Sequence, residues 1–216
     1  MSSGVALIAG AVGRPGEALL NRLLASSDYR EVVVLAEGQM ALGLPRLRLA
    51  ERHELPQLDD VFILLGEADD RSARSFYGRD APFVQVHLAN LLAVAQAAVA
   101  AGARRLVMIS PTSAWHQMGS IHRGLGDSTE LDVAQLPYES VIVLRPVRQG
   151  GRSAANLLQR FANFYMSLQM LMVPRSIPQL TSEQLARVAL QAMRSAKAGI
   201  SVLSAGQLQP LLTDDR

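Results

Sequence analysis

Val5-Ala6-Leu7-Ile8-Ala9, then Gly10-Ala11-Val12-Gly13-Arg14-Pro15-Gly16, then Glu17-Ala18-Leu19-Leu20-Asn21-Arg22-Leu23-Leu24: an apolar run, a glycine-rich link and a stretch of helical periodicity follow without a gap. The order reads strand, turn, helix. Each glycine has a mechanical use there. Gly10 permits a tight turn without a Cβ clash, Gly13 lets a pyrophosphate approach the backbone, and Gly16 lets the helix pack closely on the strand. The amides at the helix start, helped by the helix dipole, then face the phosphates. Arg14 is placed to reach a phosphate; otherwise it is a solvated residue that the dipole opposes. Pro15 suits an early helical position, where its missing amide costs little. The spacing is G-x-x-G-x-x-G rather than G-x-G-x-x-G, so a turn that merely needs small residues and holds nothing stays open as the alternative.

Composition narrows the class. The 216 residues suffice for one domain with a full core, and a 49% hydrophobic content argues against disorder. There is no cysteine, which excludes disulfides, thiolate catalysis and cysteine metal sites. The net charge is +2 and Lys197 is the only lysine; the arginines are scattered with no dense block, so the pI near 9.4 does not point to nucleic acid. No basic region precedes the first apolar run and no apolar run reaches membrane-spanning length, so a soluble cytoplasmic protein is expected, with no membrane partner. The histidines, His53, His87, His116 and His122, lack ligand spacing, so no metal site is expected.

Outward from the opening, apolar runs alternate with helical periods. A second buried strand is expected over 31–36, with Glu37 just past its end. An acidic side chain there accepts ribose hydroxyls and repels a 2′-phosphate, favouring NAD over NADP. Glu37 reads equally as an ordinary loop carboxylate, and Arg46 or Arg48 approaching from the next loop would reverse the preference. A short third strand is expected over 44–49 and a fourth over 59–66, ending at Leu65 and Gly66. Gly66 is either a plain turn or a point of close backbone approach. The longest helix is expected from Pro82 to Ala101, stopped by Gly102, with His87 and Asn90 inside it as satisfied polar residues. A fifth strand covers 105–110, closing on Ser110, and a sixth covers 141–144, ahead of Arg145-Pro146. Between them, 111–130 holds Thr112, Ser113, Trp115, His116, His122 and Arg123 and is where chemistry is expected, with a helix from about 127 to 135. A helix over 153–172 carries Met and aromatic residues suited to an internal seam or to a partner or second subunit. Thr181, with Glu183 and Gln184 behind it, reads as the N-cap of a helix to about Ala196, and Ile200–Leu203 as a last strand.

This alternation implies a Rossmann-like doubly wound parallel sheet, a three-layer α/β/α sandwich. A single domain over 1–216 is expected, with 146–180 and the C-terminus as a small cap.

The motifs resemble those of the short-chain dehydrogenase/reductase superfamily, in particular its small atypical NAD(P)-binding members related to the Tat-interacting protein. Ala9-Gly10-Ala11-Val12-Gly13-Arg14-Pro15-Gly16 resembles that family's G-A-T-G-x-x-G. Asp60 to Gly66 resembles its fourth strand, Ala101 to Ser110 its helix-to-strand passage, Leu144-Arg145-Pro146 its R-P after the sixth strand, and Ile177-Pro178 with 183–192 its closing segment. The resemblance implies a dinucleotide, NAD or NADP, held by Gly10, Val12, Gly13, Arg14, Pro15, Gly16, Glu37, Leu65, Gly66, Ser110 and Pro146.

The family's Y-x-x-x-K pair is missing. Tyr29, Tyr77, Tyr138 and Tyr165 have no lysine four residues on, and counting back from Arg145-Pro146 puts His122 and Gly126 where tyrosine and lysine belong. The lysine would lower the tyrosine pKa and hold the ribose. Three readings follow: a dinucleotide-binding protein without ordinary dehydrogenase activity; a divergent oxidoreductase with Thr112 or Ser113 orienting a carbonyl and His122 as acid/base; and a protein-interaction module without cofactor.

Overall fold

The computed structural model describes residues 4–38, 44–66, 82–111, 128–146, 180–208 and 210. Its seven strands are β1 (Gly4–Ala9), β2 (Tyr29–Leu35), β3 (Leu47–Ala50), β4 (Asp60–Leu64), β5 (Arg105–Ile109), β6 (Ser140–Arg145) and β7 (Gly199–Ser204). They form one parallel sheet in the order β3-β2-β1-β4-β5-β6-β7. The helices are α1 (Gly13–Ala25), α2 (Leu88–Ala100), α3 (Ser128–Ala134), α4 (Ser182–Arg194) and the short α5 (Ala205–Leu208). With helices on both faces, this is a Rossmann-like three-layer α/β/α sandwich.

The apolar runs form strands because both faces of the sheet are covered. β4 and β6 are buried at every position. In β1, Ala6 and Ile8 join the core beneath α1 and α4, with Leu19, Leu20, Leu23 and Val188. Val5, Leu7 and Ala9 point the other way, into the core beneath α2 and α3, with Leu91, Val94 and Val133. Strand order turns at β1, which has β2 on one side and β4 on the other, so the crevice of the fold lies at the carboxyl end of β1.

Helix ends follow local chemistry. Thr181 Oγ1 accepts from the Gln184 amide at 3.2 Å while Gln184 Oε1 accepts from the Thr181 amide at 2.9 Å, the reciprocal cap its sequence predicts. The expected helix from Pro82 is corrected: α2 begins at Leu88. Residues 82–86 run extended because the ends of β2 and β4 need backbone partners. Val84 N donates to Leu35 O (3.0 Å), Glu37 N to Pro82 O (2.6 Å) and Gly66 N to Val86 O (2.8 Å). His87 is the N-cap, with its amide bound by Asn90 Oδ1 at 2.7 Å. The third strand also lies three residues later than expected at its start, over Leu47–Ala50. The 153–172 helix, and the 146–180 cap apart from its two ends, lie outside the described residues.

Candidate functional site

The glycine turn is tight at two of its three glycines. Gly10 has φ +83°, and a Cβ built there would stand 2.2 Å from Leu64 O of β4. A Cβ on Gly16 would stand 2.5 Å from the Ala11 carbonyl carbon, so the helix is drawn against the turn backbone. Gly13 opens α1 with φ +66°, a conformation that favours glycine. The N-cap, Val12, is extended and caps no amide with its side chain, and no acidic residue lies in the first turn. The amino end of α1 therefore lacks the side-chain acceptor that Thr181 supplies to α4, which leaves first-turn N–H groups facing outward for an anion. Arg14 and Pro15 are exposed beside it.

The remaining expected cofactor residues lie along the same carboxyl edge. Glu37 is exposed, two residues past β2. Leu65 and Gly66 follow β4, with Leu65 N donating to Ile109 O at 2.9 Å. Ser110 follows β5 and its amide donates to Leu144 O at 2.9 Å; Pro146, buried, follows β6. The close neighbour of Gly66 is internal: a Cβ there would meet Gln85 Nε2 at 2.6 Å, the end of a flexible side chain. Thr112, Ser113 and His122, like His116 and Arg123, lie outside the described residues.

Arg46 does not approach Glu37. Its guanidinium donates to Leu24 O (3.0 Å), Ser26 O (2.7 Å) and Tyr29 O, so it closes the carboxyl end of α1 at the opposite edge of the sheet. This holds it in an unusual backbone conformation for a non-glycine residue, φ 71°. Arg48 stands in mid-strand opposite Val33.

Two features escaped the sequence. Glu130, in the first turn of α3, receives a 2.6 Å hydrogen bond from Arg145 at the end of β6, and both side chains are buried. This ties the start of α3 to the strand end that leads into Pro146. His87 Nδ1 lies 2.9 Å from Gly66 O, at the end of β4. Helical periodicity hid its capping role; the spacing of His87 to Asn90 was the available signal.

At the opposite, amino edge lies a cavity of about 910 Å³, lined among others by Asp28, Tyr29, Asp60, Arg105 and Arg194. Four of its charged side chains form two pairs. Arg105 grips Asp60 through two 2.7 Å bonds, Tyr29 Oη donates to Asp60 at 2.8 Å, and Arg194 holds Asp28 at 2.8 Å. Burial, reinforced by the Asp60 carboxylate, pushes the Tyr29 hydroxyl pKa well up, and the hydrogen bond to Asp60 raises that of Arg105. The network locks β2, β4 and β5 together on the side away from the glycine turn. Among the described residues no helix is long and apolar enough to cross a membrane.

No protein-family model matches the chain, and no curated protein matches it in sequence. Solved structures do. The Bordetella bronchiseptica enzyme WbmH in complex with NAD+ aligns over 98% of this chain and 80% of its own, with 15% identity and a TM-score of 0.56. WbmG from the same organism, in complex with NAD, aligns over 98% and 76%, with 18% identity and a TM-score of 0.54. A short chain dehydrogenase family protein from Francisella tularensis subsp. tularensis SCHU S4 aligns over 96% and 100%, with 12% identity and a TM-score of 0.51. At these identities the likeness is one of fold, and the fold shared is the Rossmann-like sandwich built here from its strands.

Proposed function

We propose that the chain binds a nicotinamide dinucleotide across the carboxyl edge of the sheet, with the pyrophosphate at the start of α1, and that it works as a non-catalytic or regulatory binding protein rather than an ordinary dehydrogenase. One observation carries the binding half: a helix without a side-chain cap opens from a turn whose Gly10 and Gly16 leave no room for a Cβ, at the point where strand order turns. The two Bordetella enzymes of the same fold, described with NAD or NAD+, support it. Gly10, Val12, Gly13, Arg14, Pro15 and Gly16 form the phosphate cradle of this reading. Leu65, Gly66, Ser110 and Pro146 form its strand-end rim. NAD is preferred over NADP, because Glu37 stands exposed past β2 while Arg46 is engaged elsewhere.

The non-catalytic half rests on sequence. No tyrosine has a lysine four residues on, and Lys197 is the only lysine. In this reading the motifs resemble those of the atypical short-chain dehydrogenases/reductases related to the Tat-interacting protein. The cofactor itself would supply hydride chemistry when bound; this chain's described residues supply its position and the exclusion of a 2′-phosphate. Fluorescence titration of NADH tests the reading. Saturable binding in the micromolar range, without turnover on a panel of alcohols and carbonyls, is expected. An absence of binding by the folded protein would refute the first half, and turnover would refute the second.

A further inference from the structure

The cavity at the amino edge holds more hydrogen-bond donors than its carboxylates take up. Three arginines from separate elements line it: Arg30 from β2, Arg105 from the start of β5 and Arg194 from the last turn of α4. Asp28, Asp59 and Asp60 line it too, so the charges balance in number. The hydrogen bonds do not. Asp60 accepts from Tyr29 Oη as well as twice from Arg105, and Asp59 Oδ2 accepts from the Val5 amide at 2.7 Å. Arg105 spends Nε and Nη2 on Asp60, which leaves Nη1. Arg194 spends only Nε, on Asp28, which leaves both terminal nitrogens, and Arg30 forms no hydrogen bond or ion pair among the described residues. The side chains of Arg105 and Arg194 are 39% and 42% exposed, so these groups are not sealed into the protein. Each carboxylate also fixes the guanidinium it holds, so the remaining donors are presented with little further ordering. The helix ends nearby are already opposed: Arg46 caps α1, and Arg194 itself stands at the end of α4.

We propose that this cavity is a second ligand site, for a small polar molecule carrying a phosphoryl or carboxylate group, held by Arg30, Arg105 and Arg194. Forked guanidinium donors match the paired oxygens of either group. The volume, about 910 Å³, falls within the range of about 300–1,000 Å³ usual for small-molecule sites. Ser27 and Gln57 line it beside the charges, which suits a hydrophilic body rather than an apolar one. The site lies at the opposite edge of the sheet from the glycine turn, so it stands independently of dinucleotide binding there.

The test is calorimetric titration of the full chain with inorganic phosphate and, separately, with succinate, at fixed ionic strength in chloride. Wild type is compared with Arg30→Gln/Arg194→Gln and with Gly13→Asp. The first variant removes two exposed guanidiniums and leaves the Tyr29–Asp60–Arg105 network intact; the second disables the glycine turn, the other place where an anion is expected. Thermal melts confirm that all three are folded. Wild type should bind at least one of the two anions saturably, with a Kd of about 1 mM or tighter. The tighter of the two identifies the recognised group as phosphoryl or carboxylate. Gly13→Asp should keep a saturable site within about twofold of that Kd, and Arg30→Gln/Arg194→Gln should lose at least about tenfold at it. No saturable binding of either anion by wild type overturns the proposal. So does a site lost in Gly13→Asp and kept in the arginine variant, or equal binding by all three proteins. The outcome for NAD bears on the glycine turn alone.

Discussion

Replacing Gly10 with alanine is the most exposing perturbation of the turn. Two costs act at this position. The backbone sits at φ +83°, where an L side chain is strained by about 1–2 kcal/mol. The new Cβ would also stand 2.2 Å from Leu64 O, a backbone atom of the central sheet that cannot rotate away, so β1 and β4 must separate locally. Forced displacement in a packed core costs about 1–3 kcal/mol. Together Gly10→Ala should cost about 2–5 kcal/mol, a large part of a typical total stability of about 5–15 kcal/mol. Two other glycines separate the costs. Gly38 has φ +101° with nothing among the described residues within 4 Å of a built Cβ, so Gly38→Ala should cost only about 1 kcal/mol. Gly206, in α5, has no described residue within 4 Å of a built Cβ and no positive φ, so Gly206→Ala should stabilise by about 0.5–1 kcal/mol. Urea unfolding of the three variants at constant m gives the ranking directly. A Gly10→Ala protein no less stable than Gly38→Ala would refute the close packing of the turn on β4.

Other outcomes follow from the same geometry. Glu130→Ala should destabilise by about 3–5 kcal/mol, because it leaves the buried Arg145 guanidinium without its carboxylate; a loss under about 1 kcal/mol by denaturant titration would mean the pair is not buried in solution. Tyr29 has its hydroxyl pKa raised by burial and then by Asp60, so its protonated form adds stability that is complete below about pH 10 and fades as pH climbs through the higher folded value. Tyr29→Phe should cost about 1 kcal/mol at neutral pH and flatten the alkaline fall in stability; an unchanged alkaline limb contradicts this. Glu37→Ser should narrow the NAD-over-NADP preference by about tenfold or more in competition binding, and an unchanged ratio would remove Glu37 from the site.

The sheet was legible because the central residues of β1, β2, β4, β5 and β6 are buried on both faces and so read as short apolar runs. The glycine turn was legible because its strand–glycine–helix pattern is local: Gly16 is limited by Ala11 just before it and Pro15 by helix position, while the tightness at Gly10 comes from Leu64 on the neighbouring strand. What escaped is set by partners distant in sequence. Residues 82–86 have helix-compatible composition but pair with Leu35, Glu37 and Gly66, so tertiary hydrogen bonds overrode the period. Arg46 looked free to approach Glu37 until the three carbonyls around the end of α1 claimed it. Glu130 has no local signal at all, since its meaning comes from Arg145 fifteen residues on.

The central claim is that the β1–α1 turn holds the pyrophosphate of a dinucleotide. Its most direct test is isothermal titration of wild type and Gly13→Asp with NAD, NADH, NADP and NADPH, after confirming that no nucleotide co-purifies. Gly13 opens α1 at φ +66°, so a carboxylate there meets the pyrophosphate with like charge. Micromolar binding of NAD or NADH by wild type, weakened by at least about a hundredfold in a folded Gly13→Asp, is the predicted result. Binding of none of the four, or equal binding by the variant, would contradict it.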